Sequence, residues 1–529
     1  MQLTPCGEPL KLKGYYHQSA GLKEASLDFG FRHASWVCLV VLLAGLSFAE
    51  DPSNATLDVS EPLFVVLTAI NTCGYDQELS TSDPMRAQIR AEVTQNLQVS
   101  SEAQESTQAL CQFYEEHQQV DASKTLARYI SLGLYLNPPP ALTLRVKDSD
   151  LPPDAASLLG MVPLLQNFYQ KAGLQPIWDR HRLAYAGLTE RYHTALSRMM
   201  FDTEVYLKLP SAGYLGRQFT VYVDPMGAPG QTNARNYGSD YYVVISPGTG
   251  PSLKMDQIRH TYLHYLLDPF ALKYPAVMDN LKPLLASATD SPMDESFKGD
   301  ISLLVTECFI RAVEARTAGG RKASDEQRQQ AVENSSKQGY ILTRYFYEAL
   351  IKFEKDPAGL RNAYLDLVSN IDVRKEQKRA AQIHFAAQAD PELLHFSRPS
   401  ETGLLTQAQQ RLSAGDPDDA RKLAQKALDE KTGDPGRAWF ILAQAATMNR
   451  DMQGARSCFL RALDATREPK VVAWSHIYLG RIFDLQEDRE AAVGHYRAAL
   501  NAGASLPEAK AAAERGLQQP YEPPPSRSQ

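Results

Sequence analysis

Apolar residues recur at helical spacing through most of this chain, and at strand spacing in one short region. From Pro84 to about Glu116 the pattern predicts helix. It does so again from Ala122 to Leu136, where Pro138-Pro139-Pro140 ends it. Asp154 to Ala172 and Trp178 to about Leu207 read the same way. Leu63-Phe64-Val65-Val66-Leu67 fits a strand or an early helix, because so short an apolar run carries no period. The composition then shifts. Phe219 to Val223 and Tyr241 to Ser246 are β-branched and aromatic, which predicts two strands. A Gly/Pro/Asn-rich connection, Asp224 to Asp240, joins them and leaves room for an antiparallel pairing. A helix should follow, capped by Ser252 and stopped at Asp268-Pro269. Further helices are expected over about Ile301 to Ala318, from Gly339-Tyr340 onward, and through Lys355 to Gln388. Pro391 to Thr402 reads as a linker.

The last part is repetitive. Trp439, Leu442, Ala443, Ala455, Phe459 and Ala462 form a small/large pattern, and His476, Leu479, Gly480, Phe483, Ala492, Tyr496 and Ala499 repeat it. Ala408, Ala420, Ala424 and Ala427 form a weaker copy upstream. The pattern resembles three tetratricopeptide repeats over about Gly403 to Ala502, with Pro507 to Leu517 as a capping helix. The expected organisation is a helical part with a small sheet over residues 50–395, repeats over 403–517 and a disordered Pro/Ser-rich tail over 518–529.

Composition adds a compartment. The apolar run Trp36 to Phe48 follows Arg32-His33 and ends in Ser47-Phe48-Ala49, a small-x-small cleavage pattern. It predicts a signal peptide over residues 1–49 and export to a periplasm or the outside of the cell. The run is shorter than the ~20 residues that a membrane-spanning helix needs, and no other segment is apolar for long enough to cross a membrane, so no span is expected after the signal is removed. Outside the cytoplasm disulfides persist. Cys73 and Cys111 lie in one N-terminal segment and are the candidate pair, whereas Cys308 and Cys458 sit in apolar helical patterns and read as buried thiols. A formal charge of −7 with no basic run argues against nucleic acid as a partner.

The candidate chemistry lies in Ile258-Arg259-His260-Thr261-Tyr262-Leu263-His264. Two histidines four apart fall on one helical face, so both imidazoles reach one metal ion. In the zinc peptidase motif His-Glu-x-x-His the residue after the first histidine is the general base. Here it is Thr261, which cannot accept a proton near neutral pH. His181 and His193 stand alone in their helices and read as surface or packing residues.

The order of strand, turn, histidine helix and glutamate helix resembles the gluzincins, the glutamate-type zinc metallopeptidases, over about Arg217 to Arg316. It is also similar to exported bacterial proteins of unknown function that join such a domain to tetratricopeptide repeats. The resemblance implies an α+β metallopeptidase-like domain followed by an α-solenoid. It implies Zn2+ held by His260, His264 and Glu307, with Glu314 two turns on as the alternative third ligand. It also implies an edge strand that binds substrate backbone through Tyr242, Val243 and Val244. Three functions stay open: an inactive peptidase-like domain that binds a peptide or protein, an active zinc peptidase with a displaced base, and a metal-free interaction scaffold.

Overall fold

The computed structural model describes residues 55–522, apart from 147, 149–150, 210–216, 238–239, 319–323, 390–394, 398–402 and 504–505. The signal-peptide expectation and the end of the tail fall outside them. Helices dominate, around one five-stranded sheet. The strands are β1 (Ala55–Asp58), β2 (Gln218–Val223), β3 (Thr232–Tyr237), β4 (Asp240–Ile245) and β5 (His395–Ser397), in the order β1-β2-β4-β3-β5.

The run Leu63 to Leu67 resolves as helix. It lies in Glu61–Thr72, where Ser60 caps the N-terminus by accepting from the Leu63 N–H and residues 62–71 are all buried. A helix apolar on every side belongs in the core. The two strands read from sequence are present, but β2 and β4 pair in parallel, not antiparallel. The connection between them contains β3, which runs antiparallel to β4 and so reverses the chain once more. β3 carried little apolar signal because three of its four buried residues, Asn233, Arg235 and Asn236, are polar and the fourth is the small Ala234.

The histidine helix spans Met255–Lys273, beginning after Lys254 with no side-chain cap, so Ser252 is not its N-cap. Pro269 lies inside the helix and does not stop it. Proline lacks the N–H that would bond the carbonyl four residues back, which is that of Tyr265. Arg217 donates to that carbonyl in its place, and its guanidinium lies over the rings of Tyr265 and Tyr241. One residue before β2 therefore supplies the donor that lets the helix continue. Aromatic contacts seat the helix on the sheet: Phe219 packs 5.0 Å from Tyr262 and 5.8 Å from Tyr265, and Tyr241 packs 5.7 Å from Tyr265. These pairs add to their area burial through edge-to-face geometry.

Cys73 and Cys111 form the expected disulfide, and Cys308 is a buried free thiol. Cys458 is buried as expected but disulfide-bonded rather than free, since an apolar helical setting carries no signal of pairing.

From Leu404 to Gln518 the chain forms helix pairs: Leu404–Ser413 with Pro417–Asp429, Pro435–Met448 with Met452–Ala465, and Pro469–Leu485 with Arg489–Ala502, followed by Pro507–Gln518. Small residues close each pair. A Cβ at Gly480 would lie 2.6 Å from the Tyr496 ring. Gly480→Leu should therefore overpack the third pair and cost about 1–3 kcal/mol. Urea unfolding checks this, and an unchanged midpoint would refute the register. Lys470, near the start of the third pair, forms an ion pair with Asp240 of β4, so the repeats contact the sheet directly.

Candidate metal centre

Two helices build the site. The histidine helix offers His260 and His264 one turn apart, 2% and 0% exposed. The glutamate helix, Ile301–Thr317, offers Glu307, 1% exposed. Asp300 fixes the start of that helix by accepting from the Ser302 and Leu303 N–H groups. A buried carboxylate with two buried imidazoles is costly unless the charges are paired.

The pairing is specific. His264 Nε2 lies 3.0 Å from Glu307 Oε2, and His260 Nε2 lies 3.5 Å from the same oxygen. The three donor atoms lie within 4.8 Å of one another, so this group can hold a metal ion. The other ring nitrogens are occupied by carboxylates. His260 Nδ1 sits 2.9 Å from Glu314 Oε1, and His264 Nδ1 sits 2.9 Å from Asp268 Oδ1. An imidazole whose Nδ1–H is held by a carboxylate is oriented, and more basic, at Nε2. Arg311, one turn after Glu307, donates from Nε to Glu307 Oε1 at 2.6 Å and lies 3.7 Å over the Tyr340 ring. That leaves Oε2 as the oxygen facing the histidines.

The sequence-derived trio therefore comes together. Glu314 takes a different place from the one considered for it, since it orients His260 from behind. Asp268 was legible only as a helix stop. Its spacing of four from His264 was the available signal, because residues that far apart meet on one helical face. Thr261 is fully buried and its hydroxyl donates to the Gln257 carbonyl at 3.2 Å, back into its own helix. The edge-strand expectation is corrected. β4 is paired with β2 on one side and β3 on the other, so Tyr242, Val243 and Val244 sit in a strand with no free backbone edge. β3, hidden in the connection, took the edge away. His181 bonds Glu92 at 2.7 Å, and His193 is exposed.

Charge explains the ionisation. Burial alone depresses the His260 imidazolium, but Glu307 and Glu314 reverse this and raise its pKa to about 10. His264 is likewise raised, burial being outweighed by Asp268 and Glu307. Burial works against the Glu307 carboxylate, yet His260 and Arg311 hold it well below the usual range. Without metal the cluster is a set of buried ion pairs.

A cavity of about 610 Å³ opens beside the cluster, and His260, Glu307, Arg311 and Tyr340 contribute to its wall. Asp121 and Asp294 also line it, but one oxygen of each caps a helix, accepting from the Ser123 and Ser296 N–H groups.

Residues 405–468 match the tetratricopeptide repeat family. The match covers the first two helix pairs, and the third continues the arrangement beyond it. No curated protein and no solved structure matches the chain. The protein is thus mostly helical, with a small sheet, a buried group able to bind a metal and a C-terminal repeat region of a kind that mediates protein–protein interaction. Among the described residues no helix is long and apolar enough to cross a membrane.

Proposed function

We propose that this is an exported protein with a divergent, inactive zinc-peptidase-like domain, whose repeats bind a peptide or protein partner. The observation that carries the metal reading is the convergence of two imidazole Nε2 atoms on one Glu307 oxygen, with a carboxylate behind each imidazole. Two nitrogens and one carboxylate oxygen are a donor set that suits zinc. His260, His264 and Glu307 would hold the ion. When bound, zinc supplies Lewis acidity toward an oxygen of a group in the cavity. Glu314 and Asp268 keep the imidazoles oriented, and Arg311 holds Glu307.

The inactive reading rests on Thr261. General-base help is worth roughly 10²–10⁴-fold, and a hydroxyl turned into its own helix provides none. Asp121 and Asp294 on the cavity wall each commit one oxygen to a helix cap. The apolar run at residues 36–48 and the Cys73–Cys111 disulfide support export.

Metal analysis and a casein-cleavage assay on the purified protein test the proposal. The expected result is stoichiometric zinc with no chelator-sensitive cleavage, and Thr261→Glu should retain the zinc. Chelator-sensitive cleavage by the wild type would establish the active peptidase. Absence of zinc after reconstitution would leave the metal-free scaffold.

A further inference from the structure

Tyr241 belongs to β4, yet its hydroxyl points away from the sheet to the histidine helix. It lies 2.5 Å from Asp268 Oδ2 and the residue is 3% exposed. The other oxygen of the same carboxylate, Oδ1, is the one on His264 Nδ1. A carboxylate can only accept. The tyrosine therefore donates to one oxygen and His264 Nδ1–H donates to the other. That parity fixes the proton on Nδ1 and turns Nε2 toward Glu307, which it faces at 3.0 Å.

We propose that Tyr241 is a positioning residue of the metal centre, setting zinc affinity through Asp268 and His264. This rests on the zinc reading above. Three features make the strand a firm support. β4 is paired on both sides, with Tyr241 in register with Phe219 of β2 and Asn236 of β3. The Tyr241 ring packs against Tyr265, one residue beyond His264. The Arg217 guanidinium covers both rings and ties the helix backbone at Tyr265. His260 has a looser partner, since Glu314 is 30% exposed. His264 is thus the ligand anchored to the sheet, and His260 is the one held near solvent. Outer partners of metal-bound histidines typically change affinity by about 10–100-fold.

The test is a double-mutant cycle on the full chain, with zinc affinity measured by chelator competition. Tyr241→Phe removes the hydroxyl and keeps the ring. It should weaken zinc about 10–100-fold, while Tyr129→Phe, which removes a buried hydroxyl with no hydrogen-bond partner, should not. Asp268→Asn should weaken zinc as well. Tyr241→Phe added to Asp268→Asn should have little further effect, because the hydroxyl acts through that carboxylate. A general loosening of the fold would instead add the two losses. Imidazole ¹⁵N–¹H spectra of the metal-free protein provide a readout independent of zinc. A slowly exchanging His264 Nδ1–H in the wild type should exchange faster in Tyr241→Phe. Wild-type zinc affinity in Tyr241→Phe, or additive losses in the cycle, would overturn the proposal. A wild type that takes up no zinc would refute the metal centre, and the proposal would fall with it. An unchanged His264 signal in Tyr241→Phe would overturn the positioning role while leaving the zinc reading standing.

Discussion

His264→Ala should reduce bound zinc from stoichiometric to background, with His193→Ala retaining it. His264 is fully buried, carries one of the three donor atoms and is anchored through Asp268. Its loss leaves one imidazole and one carboxylate, too few for a site that relies on three protein donors. Stability should change in parallel. A ligand present at a thousandfold excess over its Kd stabilises the folded state by about 4 kcal/mol, and the variant forfeits that contribution. Chelator should therefore lower the melting temperature of the wild type and leave that of His264→Ala unchanged. His193 is exposed on a different helix, so its replacement controls for losing a histidine as such. Stoichiometric zinc in His264→Ala would remove His264 from the ligand set.

The second large effect is a stability gap between the metal-free and loaded proteins that widens as pH rises. In the metal-free protein His260 has its pKa raised from 6.5 to about 10, Glu307 and Glu314 outweighing burial. The stability it contributes is fully present below 6.5 and is lost as pH rises toward 10. Glu307, held well below 4.5, contributes above that value and loses its contribution in acid. Metal-free protein should thus be most stable between about pH 5 and 6.5. Zinc requires neutral imidazoles, so its apparent affinity should climb with pH over the same range in which the ion pairs weaken. Each displaced proton is worth about 1.4 kcal/mol per pH unit. Thermal melts with zinc and with chelator, from pH 5 to 10, should diverge as pH rises. A constant gap between the two curves would show that the histidines do not exchange protons for metal.

The repeats and the histidine pair were readable along the chain for the same physical reason: their signals are local or periodic, whereas Glu307 entered only through the resemblance to the gluzincins. Helical spacing alone puts His260 above His264, and the alternation of small and large residues around Gly480 and Tyr496 marks a helix pair wherever it occurs. That threonine rather than glutamate follows His260 was equally plain, since it depends only on the identity of residue 261. What the sequence could not decide involves partners distant along the chain. β3 is polar and buried, so no hydrophobic period revealed it, and its insertion beside β4 made β2 and β4 parallel and closed the expected edge. Pro269 reads as a stop until Arg217, from before β2, supplies the donor to the Tyr265 carbonyl. Glu314 and Asp268 were visible as acids near the motif, but only the packing of two helices and a strand made them the groups behind the imidazoles. Residue types and spacing put the two histidines on one helical face, and the tertiary structure brought Glu307 to them. The tertiary structure decided how each donor is held, because hydrogen-bond partners are set by proximity in space and not by order in the chain.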